Sequence, residues 1–167
     1  IRLWDHLMAS GEPFGMEVSS TRAMTIRRIE GGILGNITDI DTSMTPFEAG
    51  LGQFVDLGKG NFIGREALLT KDKKPLLFGL TCETETPTSG SIIMSNGDNV
   101  GHITAGVPSP TLGLGIGYAR FLEPKNWPGS PVSICLPDKT VHPAKVVDLP
   151  FFDPEKKIVR GVDKSVP

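Results

Sequence analysis

The stretch GHITAGVPSPTLGLGIGYARF, Gly101 to Phe121, decides between two architectures. Three glycines alternate with Leu and Ile from Gly113 to Gly117. In a dinucleotide fold such a run would turn sharply and open a helix whose N-terminus faces a pyrophosphate. Here Tyr118, Ala119, Arg120 and Phe121 carry the alternation onward instead. The glycines are therefore expected to line one crowded face of a strand, which points away from a parallel nucleotide-binding sheet.

Around this stretch lie further short β-rich runs. PLLFGLTCE, SIIMS, NVGHITAGV, PVSICL and TVHPAKVVDL are separated by turn signals such as Asn96-Gly97-Asp98, Pro108-Ser109-Pro110 and Trp127-Pro128-Gly129. Several strands at that spacing predict a small barrel or sandwich. The charged segment TKDKKP, Thr70 to Pro75, marks a boundary upstream of it. The expected organisation is α+β, with residues 1–70 helix-containing and residues 75–167 β-rich; the resemblance described below makes the second part an antiparallel barrel.

Before the boundary the signals are helical. Ile1, Trp4, Leu7 and Met8 fall on one face of IRLWDHLMASGE. That helix has no visible start, so the sequence reads as a C-terminal piece of something longer. PFGMEV, Pro13 to Val18, has strand character. SSTRAMTIRRIEGG offers Ser19, Ser20 or Thr21 as N-cap and Gly31-Gly32 as its stop. Arg28 and Glu30 within it suggest an ion pair between helix and loop.

TPFEAGLGQFVDLGKGNFIGREALL, Thr45 to Leu69, contains five glycines but neither phosphate-loop pattern. Thr45-Pro46-Phe47-Glu48 is instead a capping box with proline at the first helical position. Gln53 to Leu57 is expected as a strand, and Gly64 to Leu69 as a short helix. The glycines then punctuate a helix, a strand, a turn and a second helix.

Composition narrows the function. Of 167 residues, 17 are Lys or Arg and 19 Asp or Glu, a formal net charge of -2 with scattered cations and no basic stripe. That excludes a nucleic-acid footprint. Twenty glycines and fourteen prolines favour turns and short strands over a helical bundle. No apolar run approaches the roughly 20 residues of a membrane span, so no membrane partner is expected. Cys82 and Cys135 read as buried thiols on strands. His6, His102 and His142 lie in three separate segments without ligand spacing, and no metal site is expected. No local pattern supplies a nucleophile or a general acid–base pair, so no catalytic residue is assigned.

Five stretches in order nonetheless carry a resemblance: LWDHLMASGEPFGMEV, IRRIEGGILGNITDID, TPFEAGLGQFVDLGKGNFIGREALL, GHITAGVPSPTLGLGIGYAR and PAKVVDLPFF. Together they closely resemble the C-terminal half of the glycine-cleavage T-protein family, the aminomethyltransferases and their folate-dependent demethylase relatives. The resemblance implies the tail of a folate-binding α+β domain followed by a C-terminal β-barrel. It also implies tetrahydrofolate as cofactor and one-carbon transfer from a small methylated or aminomethylated substrate, with an aminomethyl-carrier protein as a further partner. The main catalytic carboxylate of that family belongs to the N-terminal half, so this chain alone is expected to be inactive. A cytoplasmic location, mitochondrial in a eukaryote, follows from the same resemblance.

The family's cofactor contacts map onto Arg22, Met24, Ile33, Gln53 and Lys156. Met24 stands at the folate-gripping arginine of the family, with Arg22 as the nearest substitute. Ile33 replaces a methionine, Gln53 a tryptophan and Lys156 a tyrosine. These departures favour a demethylase or another one-carbon donor over glycine cleavage itself. The branch tied to tRNA modification and iron–sulfur repair carries a cysteine in the place of Lys59 to Arg65, and none is present. The competing reading is a non-catalytic binding module derived from the family.

Overall fold

In the computed structural model residues 1–164 are described; the last three residues assigned above to the barrel region lie outside them. The order is helix α1 (Arg2–Gly11), α2 (Thr21–Glu30) and α3 (Arg65–Leu69), then strands β1 (Leu77–Cys82), β2 (Ile92–Ser95), β3 (Asp98–Ser109), β4 (Leu114–Phe121), β5 (Pro131–Cys135) and β6 (Val141–Val147). The strands close into a barrel in the order β1-β4-β3-β2-β5-β6, every neighbouring pair antiparallel. Closure leaves no unpaired sheet edge. The α+β expectation with an antiparallel barrel thus describes the molecule.

The barrel interior holds Phe78, Leu80, Cys82, Ile93, Ile103 and Ile134 among others. Phe121 stacks on Trp127 at 4.1 Å and meets Phe78 edge-on at 6.0 Å, arrangements that add to the burial of large apolar rings. Both cysteines are free; Cys82 is buried as expected, whereas Cys135, near the end of β5, is only half-buried.

A second apolar cluster lies outside the wall. Ile29 of α2 packs on Leu77, Ile116 and Tyr118, with Leu34, Ile40, Leu149 and Phe151 around them. Strand β4 is therefore buried on both faces. Its inner face carries Gly115 and Gly117 in alternation with Ile116 and Tyr118 outside.

The glycines are required by a strap. Residues Glu85–Pro87 cross them so closely that a Cβ on Gly115 would stand 2.2 Å from the Glu85 carbonyl oxygen, and one on Gly106, the β3 partner of Gly117, 2.0 Å from that of Pro87. The alternation in the opening stretch is the imprint of this strap on the wall. Gly113 differs, because it lies in the turn before β4 with nothing near its missing side chain.

Helix α2 begins where Ser20 accepts from the Ala23 amide (3.2 Å) and ends at Gly31. The capping box also forms: the Thr45 amide donates to Glu48 Oε2 (2.7 Å) and the Glu48 amide to Thr45 Oγ1 (3.2 Å). It yields one turn only, since Gly50 at φ 73° reverses the chain at once.

Three expectations are corrected. Gln53 to Leu57 is no strand: a 3-10 turn spans Gly52–Phe54, and the segment finds no partner because the barrel is already closed. Pro13 to Val18 likewise forms a 3-10 turn over Glu12–Phe14 and then extended coil. Arg28 does not pair with Glu30. Residues two apart point to different sides of a helix, so Arg27 takes Glu30 (3.1 Å) while Arg28 reaches Asp39 (2.6 Å).

Candidate functional site

Two buried carboxylates fasten the helical region to the barrel. Glu30, 1% exposed, accepts from Ser109 Oγ at 2.6 Å and from Arg27 Nη1 at 3.1 Å. Burial works to raise its carboxyl, but the bonds from Ser109 and Thr111 and the Arg27 charge outweigh that and hold it below the usual glutamate range. Asp39, equally buried, accepts from Arg28 Nη1, the Gly35 amide (2.6 Å) and Thr104 Oγ1 (2.8 Å). Both oxygens of both carboxylates are therefore engaged.

Tyr118 completes the joint. Its hydroxyl lies 3.0 Å from the Ile33 carbonyl oxygen and 3.3 Å from those of Arg28 and Ile29. Burial pushes this phenol up, so it stays protonated and donates. The chain leaving α2, Gly31 to Gly35, is fixed in place by these contacts.

Beside this fixed segment a cleft of about 360 Å³ opens. Four distant stretches build it: Gly31–Leu34 after α2, the capping-box turn and 3-10 turn around Ala49–Phe54, the entry to β1 at Pro75–Phe78, and Asp148–Pro150 after β6, with Lys156 beyond. Its walls are mainly apolar, from Leu34, Leu51, Phe54, Leu77 and Leu149. The polar side chains on it are Gln53, Asp148 and Lys156.

Lys156 Nζ donates to the Gly31 carbonyl oxygen (3.2 Å) and so stands between this cleft and a second of about 370 Å³. The second is lined by Arg27, Glu30, Phe152, Asp153 and Val159 and shares Gly31, Ile33 and Lys156 with the first.

Of the five residues expected to contact a cofactor, Ile33, Gln53 and Lys156 come together on the first cleft. Arg22 and Met24 lie on the exposed first turn of α2, Met24 68% exposed, and line neither cleft. Arg27, one helical turn further on, does reach the second cleft. Asp148 and Arg27 escaped the sequence reading because a lone acidic residue at a strand end and an arginine in a helix carry no local signature; only the approach of the chain after β6 to Gly32 and the packing of α2 on β3 and β4 put them on the walls.

Comparison with known proteins places the chain beside one family throughout. The model of the glycine cleavage T-protein C-terminal barrel domain matches residues 76–153, and that of the GCVT N-terminal domain matches residues 1–59. An aminomethyltransferase of Halothermothrix orenii is 36% identical over 158 residues, covering 91% of this chain and 43% of that protein. One of Streptomyces avermitilis is 35% identical over 164 residues, covering 93% and 44%. The chain thus spans less than half the length of these curated relatives. The crystal structure of glycine cleavage system aminomethyltransferase T from Bartonella henselae superposes with a TM-score of 0.67 at 27% identity, covering 77% of this chain and 37% of that one.

Proposed function

The chain belongs to the glycine-cleavage T-protein family, and from that premise we propose that it forms one wall of the tetrahydrofolate site in a one-carbon transferase. The observation that carries this reading is the position of the first cleft. It lies where the segment matched by the N-terminal domain model meets the barrel, and Ile33, Gln53 and Lys156 line it. A division of the chain near Thr70–Pro75 is part of the same proposal.

The residues present fit such a cofactor. An apolar-walled cleft with a few polar groups is the usual form of a small-molecule site. Lys156 uses one donor on Gly31 and keeps others for an anionic group. Tetrahydrofolate, when bound, supplies the nitrogen that accepts the one-carbon unit. This chain's part is to hold and orient: Leu34, Leu51 and Phe54 offer apolar surface, Gln53 offers an amide, and Lys156 offers charge. The proton-handling carboxylate comes from the part of the family's fold outside this segment. The one-carbon donor is a small methylated or aminomethylated compound, with an aminomethyl-carrier protein as the further partner. Among the described residues no helix is long and apolar enough to cross a membrane.

Calorimetry on the protein expressed from its full gene tests the reading. Tetrahydrofolate is expected to bind at micromolar concentration, with Gln53→Ala and Lys156→Ala each weakening it about 5- to 30-fold, the worth of one modest polar contact. No heat of binding in the unaltered protein would refute it. The runner-up is a non-catalytic binding module, favoured by α1, none of whose ten residues is buried. That reading gains if the full protein ignores tetrahydrofolate and supports no one-carbon transfer.

A further inference from the structure

We propose that His142 operates a hydrogen-bond switch at one mouth of the barrel, in which taking up a proton reverses the Thr84 hydroxyl and turns the buried Cys82 thiol from donor to acceptor. The side chains that form this relay line neither of the two clefts described above. Cys82 Sγ lies 3.7 Å from Thr84 Oγ1, which in turn lies 3.1 Å from His142 Nδ1. Across the imidazole, Nε2 lies 3.0 Å from Thr140 Oγ1, and that hydroxyl donates to Asp138 Oδ1 at 2.7 Å.

The fold explains why they meet. Cys82 is the last residue of β1 and belongs to the barrel interior, only 1% exposed. Thr84 follows two residues on and directly precedes the strap over the glycine wall. His142, half-buried near the start of β6, comes two positions before Ala144 of the interior cluster, at the rim of the same row. Thr140 and Asp138 lie in the turn between β5 and β6. The relay therefore runs from the core to the solvent.

Its direction follows from counting hydrogens, since a hydroxyl has only one to give. Bonds from Thr140 first, and the nearby His142 as well, hold the Asp138 carboxyl below the usual aspartate range. It is thus ionised wherever a histidine titrates, and it only accepts. Thr140 gives its hydrogen to Asp138 and must accept from His142 Nε2–H. In the neutral imidazole Nδ1 is then bare, so it accepts from Thr84, and Thr84 accepts from the Cys82 S–H.

A proton taken from water onto Nδ1 reverses the inner half. Thr84 then accepts from Nδ1–H, its own hydrogen turns to Cys82 Sγ, and the thiol hydrogen swings away. No bond within Thr84 or Cys82 breaks, and both states keep every link of the relay. The strap stays anchored to β6 through Thr84, while the thiol changes its role. Lys139 shares the β5–β6 turn, and Glu83 and Lys145 line a groove beside Thr84, but Thr84 and Thr140 rather than these hold the two imidazole nitrogens.

Infrared spectroscopy of the S–H stretch, on the protein expressed from its full gene, tests the switch. The Cys82 band is identified by its loss in Cys82→Ser, and the His142 ring is titrated in parallel by proton NMR. In the unaltered protein the band is expected to rise in frequency as pH falls from about 8 to 5, because the thiol ceases to donate, with the midpoint of the His142 ring. In His142→Gln and in Thr84→Val it is expected to stay fixed over that range. A Cys82 band that does not move in the unaltered protein, that moves with a midpoint other than that of His142, or that still moves in His142→Gln overturns the switch. The unaltered protein and His142→Gln decide the matter even if Thr84→Val fails to fold.

Discussion

Glu30 and Asp39 put two carboxylates inside a protein whose net charge is small, and each is tolerated because fixed donors replace the lost water. Their removal is correspondingly costly. Asp39→Ala leaves Arg28 without its carboxylate, though not without the Ile33 carbonyl oxygen, and is expected to destabilise by about 3 kcal/mol, the lower end for a broken buried pair because Arg28 keeps some solvent. Glu30→Gln keeps the shape but sets an amide against Arg27, for about 1–3 kcal/mol; urea titration reads both. Glu30 also fixes a pH dependence. Its folded value lies below its ordinary one, so its contribution is present above the unfolded value near 4.3 and disappears as pH falls through the folded value. The unfolding free energy should therefore decline more steeply between about pH 5 and 3 in the unaltered protein than in Glu30→Gln.

Among the elements, the strap and the capping box make opposite demands on small residues. Gly106→Ala drives a Cβ against the Pro87 carbonyl oxygen, a backbone atom that cannot step aside. The expected loss is about 3 kcal/mol, visible as a lower urea midpoint. Thr45→Ala removes one side of the capping box and should cost about 1 kcal/mol. The capping box and the Ser20 cap were legible in the sequence because each involves residues three apart. The strand expected at Gln53 to Leu57 failed for the complementary reason. Alternation records which side chains could face a core, but a strand also needs an open edge to pair with, and the closed barrel offers none.

Across the whole molecule the apolar residues are unevenly covered. The barrel interior is sealed, whereas α1 contributes Leu3, Trp4 and Leu7 to solvent and touches little beyond the turn that follows it. Trp4→Ser should accordingly leave the melting temperature of this chain within about 2 °C, while Leu80→Ala, at a fully buried site, should cost about 2–5 kcal/mol. The clefts belong to this scale too, since the four stretches lining the first are far apart in the chain. Three of the five expected contact residues meet there, and two do not, because a helix displays its turns in different directions and Met24 falls on the outward one. By itself the sequence determined the helices, the caps, the alternating strands and, through five ordered motifs, the family. These rest on interactions between residues a few positions apart, and on a motif order that survives substitution. Only the tertiary structure decided the strand order, the strap that demands glycine on β4, the partners of Arg27 and Arg28, and the union of Asp148, Gln53 and Lys156 around one cleft. Those depend on which distant segments the closed barrel brings within a few ångströms, a choice that no local spacing encodes.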